Sequence, residues 1–461
     1  MNYDLVVIGS GAGLDVASAA AQYGMKVAIV EKDRMGGTCL NRGCIPSKLL
    51  IHSADVMDVI KTASQFGIKV EKYSVDFAAI VGRVSSITDS DSEGIRRALE
   101  DSENPKLFTG EARFVSERTL NVEGHGAVSG DRILIATGTR PSIPSIRGLD
   151  GSGFITSDQA LRLDRLPRVL TILGGGFIAA ELAHFFGSLG SSINIIQRSA
   201  RLVPQEDEEV SQKFTEIMSS KYSVYLSTEP ELVEKSGETF RVSVKDRTGS
   251  RVIESDQLLI ATGRIPNSDI LDVSKAGVKT DERGFVVTNG YLETNVEGIY
   301  ALGDAVGRYQ YRHSANHEAR YAFYNIANSF GAKNGRAEKV AVDYAAMPHA
   351  IFSSPQVAGA GSTEQELRSK EIPYRKSVYR YLHTAMGHAL EDKDGFVKLL
   401  VQDGQGRGKI LGCHILGSDA STLIHEVLVA MRSGLGVEAL RDTVHIHPAL
   451  SEVVARAAGQ L

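Results

Sequence analysis

The spacing of apolar and polar positions predicts two strand–helix–strand units in different parts of the chain. The first has a short apolar strand at Tyr3–Ile8, a helical stretch that ends near Tyr23 and a second strand at 26–30. The second has a strand at Val169–Leu173, a helix that ends near residue 189 and a strand at Ser192–Ile196. Short apolar runs that alternate with helical periods are typical of parallel sheets. We therefore expect an α/β protein.

The remaining pattern predicts scaffold helices followed by a strand-rich region at the C-terminus. Helical spacing of apolar residues covers 45 to about 66, 77 to about 99, and 314–330. Strand-like segments in the first third of the chain are 106–115, 119–122 and 132–136. After Val340 the pattern changes to alternating strands at 350–357, 374–382, 396–402 and 409–415, with two helical stretches behind them. This change indicates a separate last domain.

Glycines and one acidic residue give the first unit a candidate function. Gly9, Gly11 and Gly13 follow the first strand, and Glu31 ends the second strand. Glycines let the backbone approach a pyrophosphate at a helix N-terminus, and an acidic residue about twenty positions later can accept the ribose hydroxyls. Leu14 stands where a third glycine is expected, so looser packing of the helix on the sheet is predicted. The alternative is a simple tight turn.

The second unit repeats this arrangement. Gly174 and Gly176 follow its first strand, and Ile178 lies at the start of its helix. The segment 258–267, which contains Gly263, is similar in sequence to the earlier segment 133–141. Two nucleotide-binding units built alike predict two bound nucleotides.

Two of the three cysteines, Cys39 and Cys44, stand five positions apart. On an ideal helix five residues rise about 7.5 Å, which exceeds the roughly 7 Å between Cα atoms that a disulfide spans. A bridge therefore requires a distorted first turn, which Gly43 and Pro46 make plausible. A strained bridge of that kind is easily reduced and catalytic. The alternative is two buried cysteines that act as small core residues, which is how we interpret Cys413.

Composition limits the partners and the compartment. A chain of 461 residues predicts about three domains. The net charge of -5 gives no basic field for nucleic acid and no polybasic membrane patch. No apolar run reaches the roughly 18 residues of a membrane-spanning helix. With few cysteines and no basic signal-peptide start, we expect a cytoplasmic protein.

Residues Gly36–Lys48, which contain the cysteine pair, resemble the redox-active segment of the flavoprotein disulfide reductases. Their sequence is most similar to that of the dihydrolipoamide dehydrogenases in that family, and the resemblance extends over nearly the whole chain. It implies two Rossmann-like domains, for FAD and for NAD(P), followed by a C-terminal α+β dimerisation domain of a homodimer. The implied boundaries are 1–146 with 276–340 for FAD, 147–275 for NAD(P), and 341–461 for the dimerisation domain.

The resemblance also implies roles for individual residues. Asp304 would hold the ribityl chain of FAD, the alternative being a turn or helix cap. Lys48 and Glu181 match the family's ion pair beside the flavin ring. Further residues implied to bind the cofactors are Gly37, Thr38, Ala112, Gly138 and Gly303.

A histidine motif near the C-terminus supplies a candidate base. Pro448 suits the first position of a helix, which would place His447 at the helix start and Glu452 about one turn along. A carboxylate can hold an imidazole in one tautomer and raise its basicity. The alternatives are a cap histidine or half of a metal site, although no further ligands are evident and no metal is predicted. The resemblance makes His447 the acid/base, Glu452 its partner and His445 structural.

The implied reaction passes electrons from a reduced nicotinamide through FAD to a Cys39–Cys44 bridge and on to a substrate disulfide. A lipoyl substrate is expected, because Ala19 and Ala20 stand where glutathione reductases carry an arginine pair. The alternatives are another low-molecular-weight disulfide or a flavoprotein redox sensor without turnover.

The nicotinamide cofactor is the point at which the chain departs from ordinary dihydrolipoamide dehydrogenases. Gln197 replaces the carboxylate that accepts the ribose hydroxyl of NAD. Arg198 and Arg201 follow it, and arginine binds phosphate through charge-assisted hydrogen bonds. NADP(H) is therefore expected over NAD(H), the alternative being that both arginines are solvated loop charges.

Overall fold

The structure is a computed structural model of one chain, and it describes residues 2–331, 338–403 and 408–461. The strands are β1 (Asn2–Ile8), β2 (Val27–Glu31), β3 (Lys106–Thr109), β4 (Ala112–Ser116), β5 (Thr119–Val122), β6 (Gly126–Ile135), β7 (Thr139–Pro141), β8 (Ile155–Thr156), β9 (Val169–Leu173), β10 (Ser192–Ile196), β11 (Ser223–Tyr225), β12 (Glu229–Ser236), β13 (Thr239–Asp246), β14 (Gly249–Ser255), β15 (Gln257–Ile260), β16 (Arg264–Pro266), β17 (Ile299–Ala301), β18 (Pro348–Ile351), β19 (Gln356–Gly361), β20 (Tyr374–Arg380), β21 (Phe396–Gln402) and β22 (Ile410–Gly417). The α-helices are α1 (Gly13–Gln22), α2 (Gly37–Arg42), α3 (Cys44–Thr62), α4 (Phe77–Glu100), α5 (Ser157–Ala160), α6 (Phe177–Leu189), α7 (Glu208–Lys221), α8 (Arg312–Gly331), α9 (Glu364–Ser369), α10 (Ala385–Ala389), α11 (Ala420–Arg432), α12 (Val437–Asp442) and α13 (Glu452–Gly459).

The first sheet has the order β3-β2-β1-β6-β5-β4, with β17 also paired to β6. Strands β1, β2, β3, β17 and the C-terminal half of β6 are parallel, whereas β4 and β5 join as antiparallel strands. Both faces of its parallel part are covered, which explains why the central strands are apolar at nearly every position. This sheet is formed by residues before 140 together with β17.

The second sheet has the order β11-β10-β9-β15-β8, and all of its pairings are parallel. A separate antiparallel sheet, β12-β13-β14, is inserted between β11 and β15. The sequence pattern did not predict that insertion.

Strands β7 and β16 pair with each other in an antiparallel ribbon, with Arg140 opposite Ile265. These strands belong to the two segments whose sequences echo one another. The two copies of the repeated segment therefore pair with each other where the chain passes between the two nucleotide-binding units.

Helix α1 packs closely on the first sheet, contrary to the looser packing expected from Leu14. A Cβ atom added to Gly13 would lie 2.8 Å from Cγ1 of Val7 and 3.0 Å from Cβ of Ala136. Gly13 thus permits the close approach of helix and strand for which a glycine at position 14 was expected. The prediction of looser packing was wrong.

The C-terminal region contains an antiparallel sheet of order β18-β19-β22-β21-β20. Helices α11, α12 and α13 contribute buried side chains to one core with this sheet. Cys413 lies in that core and is fully buried, as predicted. Two predicted strands were wrong because each is interrupted: 350–357 turns back as β18 and β19, and 106–115 breaks at Gly110 into β3 and β4.

A buried ionic cluster joins the second nucleotide-binding unit to the C-terminal sheet. Lys398 on β21 is fully buried, and its Nζ atom lies 2.8 Å from Oδ1 of Asp207 and 2.5 Å from Oε2 of Glu364. Asp207 precedes α7, and Glu364 begins α9. A buried charge is tolerated only when it is paired and hydrogen-bonded. Because the partners of Lys398 come from both regions, this cluster fixes how the two regions pack.

Among the described residues, no helix combines the length and the apolar character needed to cross a membrane.

Candidate active site

A cavity of about 510 Å³ lies where the carboxyl ends of the first sheet face helices α3 and α6. The predicted residues that line it include Gly9, Gly11, Gly37, Thr38, Cys39, Cys44, Lys48, Ala112, Gly138, Ile178, Glu181, Gly303 and Asp304. Ligands of open α/β sheets bind at this edge. The fold therefore brings nearly all residues predicted for the first cofactor, and both cysteines, to one place.

Glycines give the cavity a backbone surface that side chains would block. Gly9 has φ +103°, and a Cβ atom there would lie 2.4 Å from the carbonyl oxygen of Ala136. A Cβ atom on Gly37, at φ +64°, would lie 2.8 Å from Cα of Gly11. The space between these two turns is thus open to backbone N–H groups at the start of α1, which suits a pyrophosphate. The site fits a dinucleotide such as FAD.

Glu31 is held at the end of β2 by the glycine turn itself. Both the backbone N–H and the hydroxyl of Ser10 donate to Oε2 of Glu31, each at 2.8 Å. The Ser10 hydroxyl in turn accepts from the N–H of Gly36 at 3.0 Å. Ser10 was not predicted as a site residue, although its place between two glycines of the motif was a usable signal.

Asp304 also lines the cavity, and it accepts a hydrogen bond from Oγ1 of Thr139 at 3.0 Å. Burial raises the pKa of Asp304, while the nearby positive charge of Arg264 acts to lower it. Arg264 donates from Nε to the Thr139 hydroxyl at 2.7 Å. Sequence reasoning missed both Thr139 and Arg264, because their contact is made across the β7–β16 ribbon. Glu318 was missed too; it accepts the N–H of Gly303 at 2.5 Å.

The cysteines lie on two helices separated by Gly43. Cys39 is in α2 and Cys44 is the first residue of α3, while Gly43 has φ -142° and ψ -122°, outside the helical region. A complete break between helices thus replaces the distorted first turn that was expected. A side chain at Gly43 would lie 2.9 Å from the carbonyl oxygen of Thr38, so the break favours glycine.

Both cysteines are free thiols here, and each affects the pKa of the other. The hydrogen bond from Cys39 and the positive charge of Lys48 lower the pKa of Cys44 to about 7, against an opposing effect of burial. The hydrogen bond to Cys44 and burial raise the pKa of Cys39 well above its usual range. Of the two cysteines, Cys44 is therefore the one that loses its proton more readily. Thiolates are the reactive form of cysteine.

Lys48 and Glu181 form an ion pair beside the cysteines. Nζ of Lys48 lies 2.8 Å from both carboxylate oxygens of Glu181. Oε1 of Glu181 also accepts the backbone N–H of Phe352 at 3.0 Å, and the Lys48 ammonium lies 4.6 Å from the centre of the Phe352 ring. Because α3 packs on α6, a side chain from each nucleotide-binding unit meets here.

The side chains of His447 and Glu452 contact each other, but His447 does not line the cavity that contains the cysteines of the same chain. Nδ1 of His447 lies 3.0 and 3.1 Å from the Glu452 carboxylate oxygens, and this hydrogen bond lowers the pKa of Glu452. His445 instead contacts Glu426 at 2.9 Å. Among the described residues that line the cysteine cavity, His447 is absent. Its side chain is 71% exposed.

The predicted helix start at Pro448 was wrong. Helix α13 begins at Glu452, and residues 448–451 form a turn before it. The Glu452 carboxylate accepts the N–H of Ala449 at 3.3 Å, which fastens this turn to the helix. His447 is therefore oriented by the side chain of Glu452 across a turn and not by a position in the helix.

The second glycine turn reproduces the first. A Cβ atom on Gly174, at φ +111°, would lie 2.3 Å from the carbonyl oxygen of Ala261, just as Gly9 meets Ala136. Gly176 precedes α6, and Gly263 follows β15 at φ +123°. Two turns with equivalent contacts in the two units support the predicted repeat.

Beyond the end of β10 lie the residues predicted to select the nicotinamide cofactor. Gln197 is buried, with its Cδ atom 3.0 Å from the position of a Cβ atom on Gly175. Arg201 is bound to Glu208 at 2.8 Å, whereas Arg198 is exposed and makes no hydrogen bond or ion pair within the described parts of the chain. Of the two arginines, Arg198 is the one free to meet a phosphate.

Comparison with known families matches residues 3–319 to the family described as pyridine nucleotide-disulphide oxidoreductase. The chain belongs to this family. Residues 347–458 match its dimerisation domain. The prediction of a flavoprotein disulfide reductase with two dinucleotide-binding domains and a C-terminal dimerisation domain is confirmed.

Relatives of this oxidoreductase have several names. A dihydrolipoyl dehydrogenase of Chlamydia trachomatis is 33% identical over 99% of this chain and 96% of its own length. A mycothione reductase of Mycobacterium tuberculosis is 35% identical over 99% and 98%. Among solved structures, the HOCl-induced flavoprotein disulfide reductase RclA of Escherichia coli, as its Cu(II) complex, has a TM-score of 0.86 at 27% identity and covers 100% of both chains. The oxidoreductase is thus an FAD protein that uses a pyridine nucleotide.

Proposed function

We propose that this oxidoreductase uses NADPH to reduce a small disulfide through the Cys39–Cys44 pair, with His447 of the partner subunit as acid/base. The observation that carries the proposal is the placement of both cysteines on adjoining helices at the wall of the cavity that fits FAD. Bound FAD would supply a hydride acceptor between the nicotinamide and the cysteines. The residues proposed to hold it are those of the two glycine turns, Glu31 and Asp304.

The role of each thiol is taken from the resemblance to the family, which implies that Cys44 faces the flavin and that Cys39 meets the substrate. His447 accepts the proton of the Cys39 thiol, and the Cys39 sulfur attacks one sulfur of the substrate disulfide. The other substrate sulfur leaves and takes that proton from His447. The Cys44 thiolate then attacks Cys39 in the mixed disulfide and releases the second substrate thiol. The protein dithiol thereby loses two electrons and becomes a bridge, and the substrate disulfide gains them.

Lys48 and Glu181 have a supporting role in this proposal. The ammonium of Lys48 stabilises the Cys44 thiolate by its charge. Glu181 holds the Lys48 side chain in place and is itself held by the backbone of Phe352. Since the pair links α3 to α6, it also positions the cysteine helix against the nicotinamide-binding unit.

The preference for NADP(H) is part of the proposal. Gln197 lacks the negative charge that would repel a 2′-phosphate. Arg198, one residue further along the chain, has a guanidinium that forms no ion pair with any residue that the structure describes. An arginine that is free of ion pairs can form charge-assisted hydrogen bonds with a phosphate. Arg201 supports the loop through Glu208.

A lipoyl group is the first candidate substrate. It is supported by the similarity to dihydrolipoyl dehydrogenases and by two alanines, Ala19 and Ala20, on α1 in place of an arginine pair. The second candidate is another low-molecular-weight disulfide, which the similarity to mycothione reductase supports equally well.

The test is a steady-state assay of the purified, FAD-loaded protein with NADPH or NADH and a panel of disulfides. We expect a higher kcat/KM with NADPH than with NADH, and a higher kcat/KM for lipoamide than for glutathione disulfide. Faster turnover of glutathione disulfide would refute the lipoyl assignment. A yellow protein that NADPH bleaches, but that reduces none of the disulfides, would instead be a redox sensor.

A further inference from the structure

The contact between α3 and α6 contains a second polar pair, in addition to the ion pair beside the cysteines. His184 on α6 is 2% exposed, and its Nε2 atom lies 2.8 Å from Oδ1 of Asp55 on α3. Because a carboxylate only accepts, the hydrogen of this bond belongs to Nε2. Nδ1 of the same ring lies 3.1 Å from Oγ of Ser188 and 3.8 Å from Oδ2 of Asp58. Both nitrogens of this buried imidazole therefore have polar neighbours.

Apolar side chains form the neighbouring part of the contact between α3 and α6. Leu50, Ala54 and Met57 of α3 share one buried hydrophobic core with Ala183 and Phe186 of α6. The hydrophobic effect is not directional, so such side chains alone do not fix the position of one helix along another. A buried polar group does fix it, because the group costs free energy wherever it lacks a partner.

The two polar pairs of this contact have the same arrangement. Their α6 members, Glu181 and His184, are buried, whereas the side chains of their α3 members, Lys48 and Asp55, are 35% and 49% exposed. On α3 the two members are seven residues apart, which is about 10.5 Å along one face of the helix. On α6 they are three residues apart and again share a face. Helix α3 must therefore lie where both of its side chains meet a buried group of α6 at once.

The position of α3 along α6 determines how two functional regions face each other. Cys44 is the first residue of α3, and Gly176, which belongs to the turn predicted to bind the nicotinamide nucleotide, precedes α6. Residues from the first turn of each helix line the same cavity. A displacement of one helix along the other thus changes the separation between the second glycine turn and Cys44.

We propose that Asp55 and His184 are positioning residues, which hold Cys44 and the second glycine turn at the separation that electron transfer requires. Buried polar pairs can specify register even where they contribute little to stability. Neither residue is among the described residues that line the cavity, so both act through the helices that carry them. Because the inference concerns the passage of electrons from the nicotinamide to the cysteines, it rests on the proposed function.

The first experiment uses His184→Leu, which removes the buried group that needs a partner. Its thermal midpoint of unfolding should be unchanged or raised. Reduction of FAD by NADPH should nevertheless slow several-fold, with an unchanged KM for NADPH, because small misplacements of reacting groups are costly. His52→Leu changes an exposed histidine of the same helix and is the matched control, for which no change is expected. A stable His184→Leu protein with the wild-type rate overturns the inference.

The second experiment changes Asp55, which is half exposed and whose variants therefore leave the core intact. Asp55→Asn keeps an oxygen that accepts the Nε2 hydrogen of His184, so it should retain most of the wild-type rate. Asp55→Ala removes that oxygen and should slow FAD reduction as His184→Leu does. Asp91→Ala, at an exposed aspartate of α4, is the control and should have no effect. Equal rates in Asp55→Asn and Asp55→Ala overturn the inference.

A third measurement needs neither nicotinamide nor substrate. If α3 is displaced, Lys48 is no longer held at its present place beside Cys44, so the ultraviolet thiolate titration of the reduced protein should move from about pH 7 to higher pH in Asp55→Ala but not in Asp91→Ala. If the wild-type protein reduces no disulfide, the proposed function fails, and this titration still decides the inference. If disulfides are reduced but neither the titration nor FAD reduction depends on Asp55, only the inference fails.

Discussion

Mixing two inactive variants, Cys39→Ser and His447→Ala, under conditions that exchange subunits should restore activity. If each site combines the cysteines of one subunit with the histidine of the other, a mixed dimer has one site in which both are intact. Random exchange of equal amounts makes about half of the dimers mixed, so about one quarter of wild-type sites should return. If cysteines and histidine of one site came from the same chain, none would return.

The structure motivates this expectation through the surroundings of His447. The adjoining side chains of Val444 and Ile446 are 95% and 78% exposed in the single chain. Full burial of an aliphatic side chain contributes roughly 1.5–3 kcal/mol, so both would favour a partner surface. His447 itself is oriented by Glu452 but is not among the described residues that line its own cysteine cavity.

The assay is NADPH oxidation with an accepted disulfide, before and after exchange, with native mass spectrometry to count mixed dimers. The control replaces His447→Ala by the double variant Cys39→Ser/His447→Ala, whose mixed dimers have no intact site and should stay inactive. Mixed dimers without recovered activity would refute the shared site. Full activity of His447→Ala alone would refute its role as the base.

Four further results are expected. Cys39→Ser and Cys44→Ser should each abolish disulfide turnover while the protein keeps its FAD absorbance, because neither thiol belongs to the glycine turns. Arg198→Glu should reduce kcat/KM for NADPH roughly ten-fold, the loss of one charged hydrogen bond, with far less effect on NADH. Lys48→Met removes a charge that lowers the pKa of Cys44, so the ultraviolet thiolate titration of the reduced protein should shift from about pH 7 to higher pH. Lys398→Met leaves the buried carboxylate of Asp207 without its cation, while Glu364 keeps Lys376 and Arg368, and should lower the free energy of unfolding by about 3–5 kcal/mol in denaturant titration.

Each of these has a matched control or a contradicting outcome. Arg165→Glu changes an exposed arginine of the same nucleotide-binding unit and should not alter the NADPH preference. Substantial turnover by either cysteine variant, an unshifted thiolate titration in Lys48→Met, or unchanged stability in Lys398→Met would each contradict the role given to that residue.

Local patterns were enough to predict the two nucleotide-binding units. Glycine turns and buried parallel strands depend on neighbouring residues, so Gly9 and Gly174 were found from sequence. The contact of Arg264 with Thr139 was not, because it joins residues far apart in sequence through a ribbon. Pro448 shows the opposite error: a local preference for a helix start was overridden by the Glu452 side chain, which holds a turn in front of the helix. Alternating strands also gave no sign of where β18 turns back into β19.

The pairing of β7 with β16 has a consequence for how such enzymes change cofactor. Ser142 donates its N–H to the carbonyl oxygen of Gly263 at 2.9 Å, so the two points where the chain leaves and re-enters the first unit lie side by side. The residues between these two points form an inserted domain whose two ends are adjacent. Such a domain can be replaced as a whole without separating the parts of the first nucleotide-binding unit. Recombination at this junction could exchange coenzyme specificity in one event and leave the cysteine helix in place.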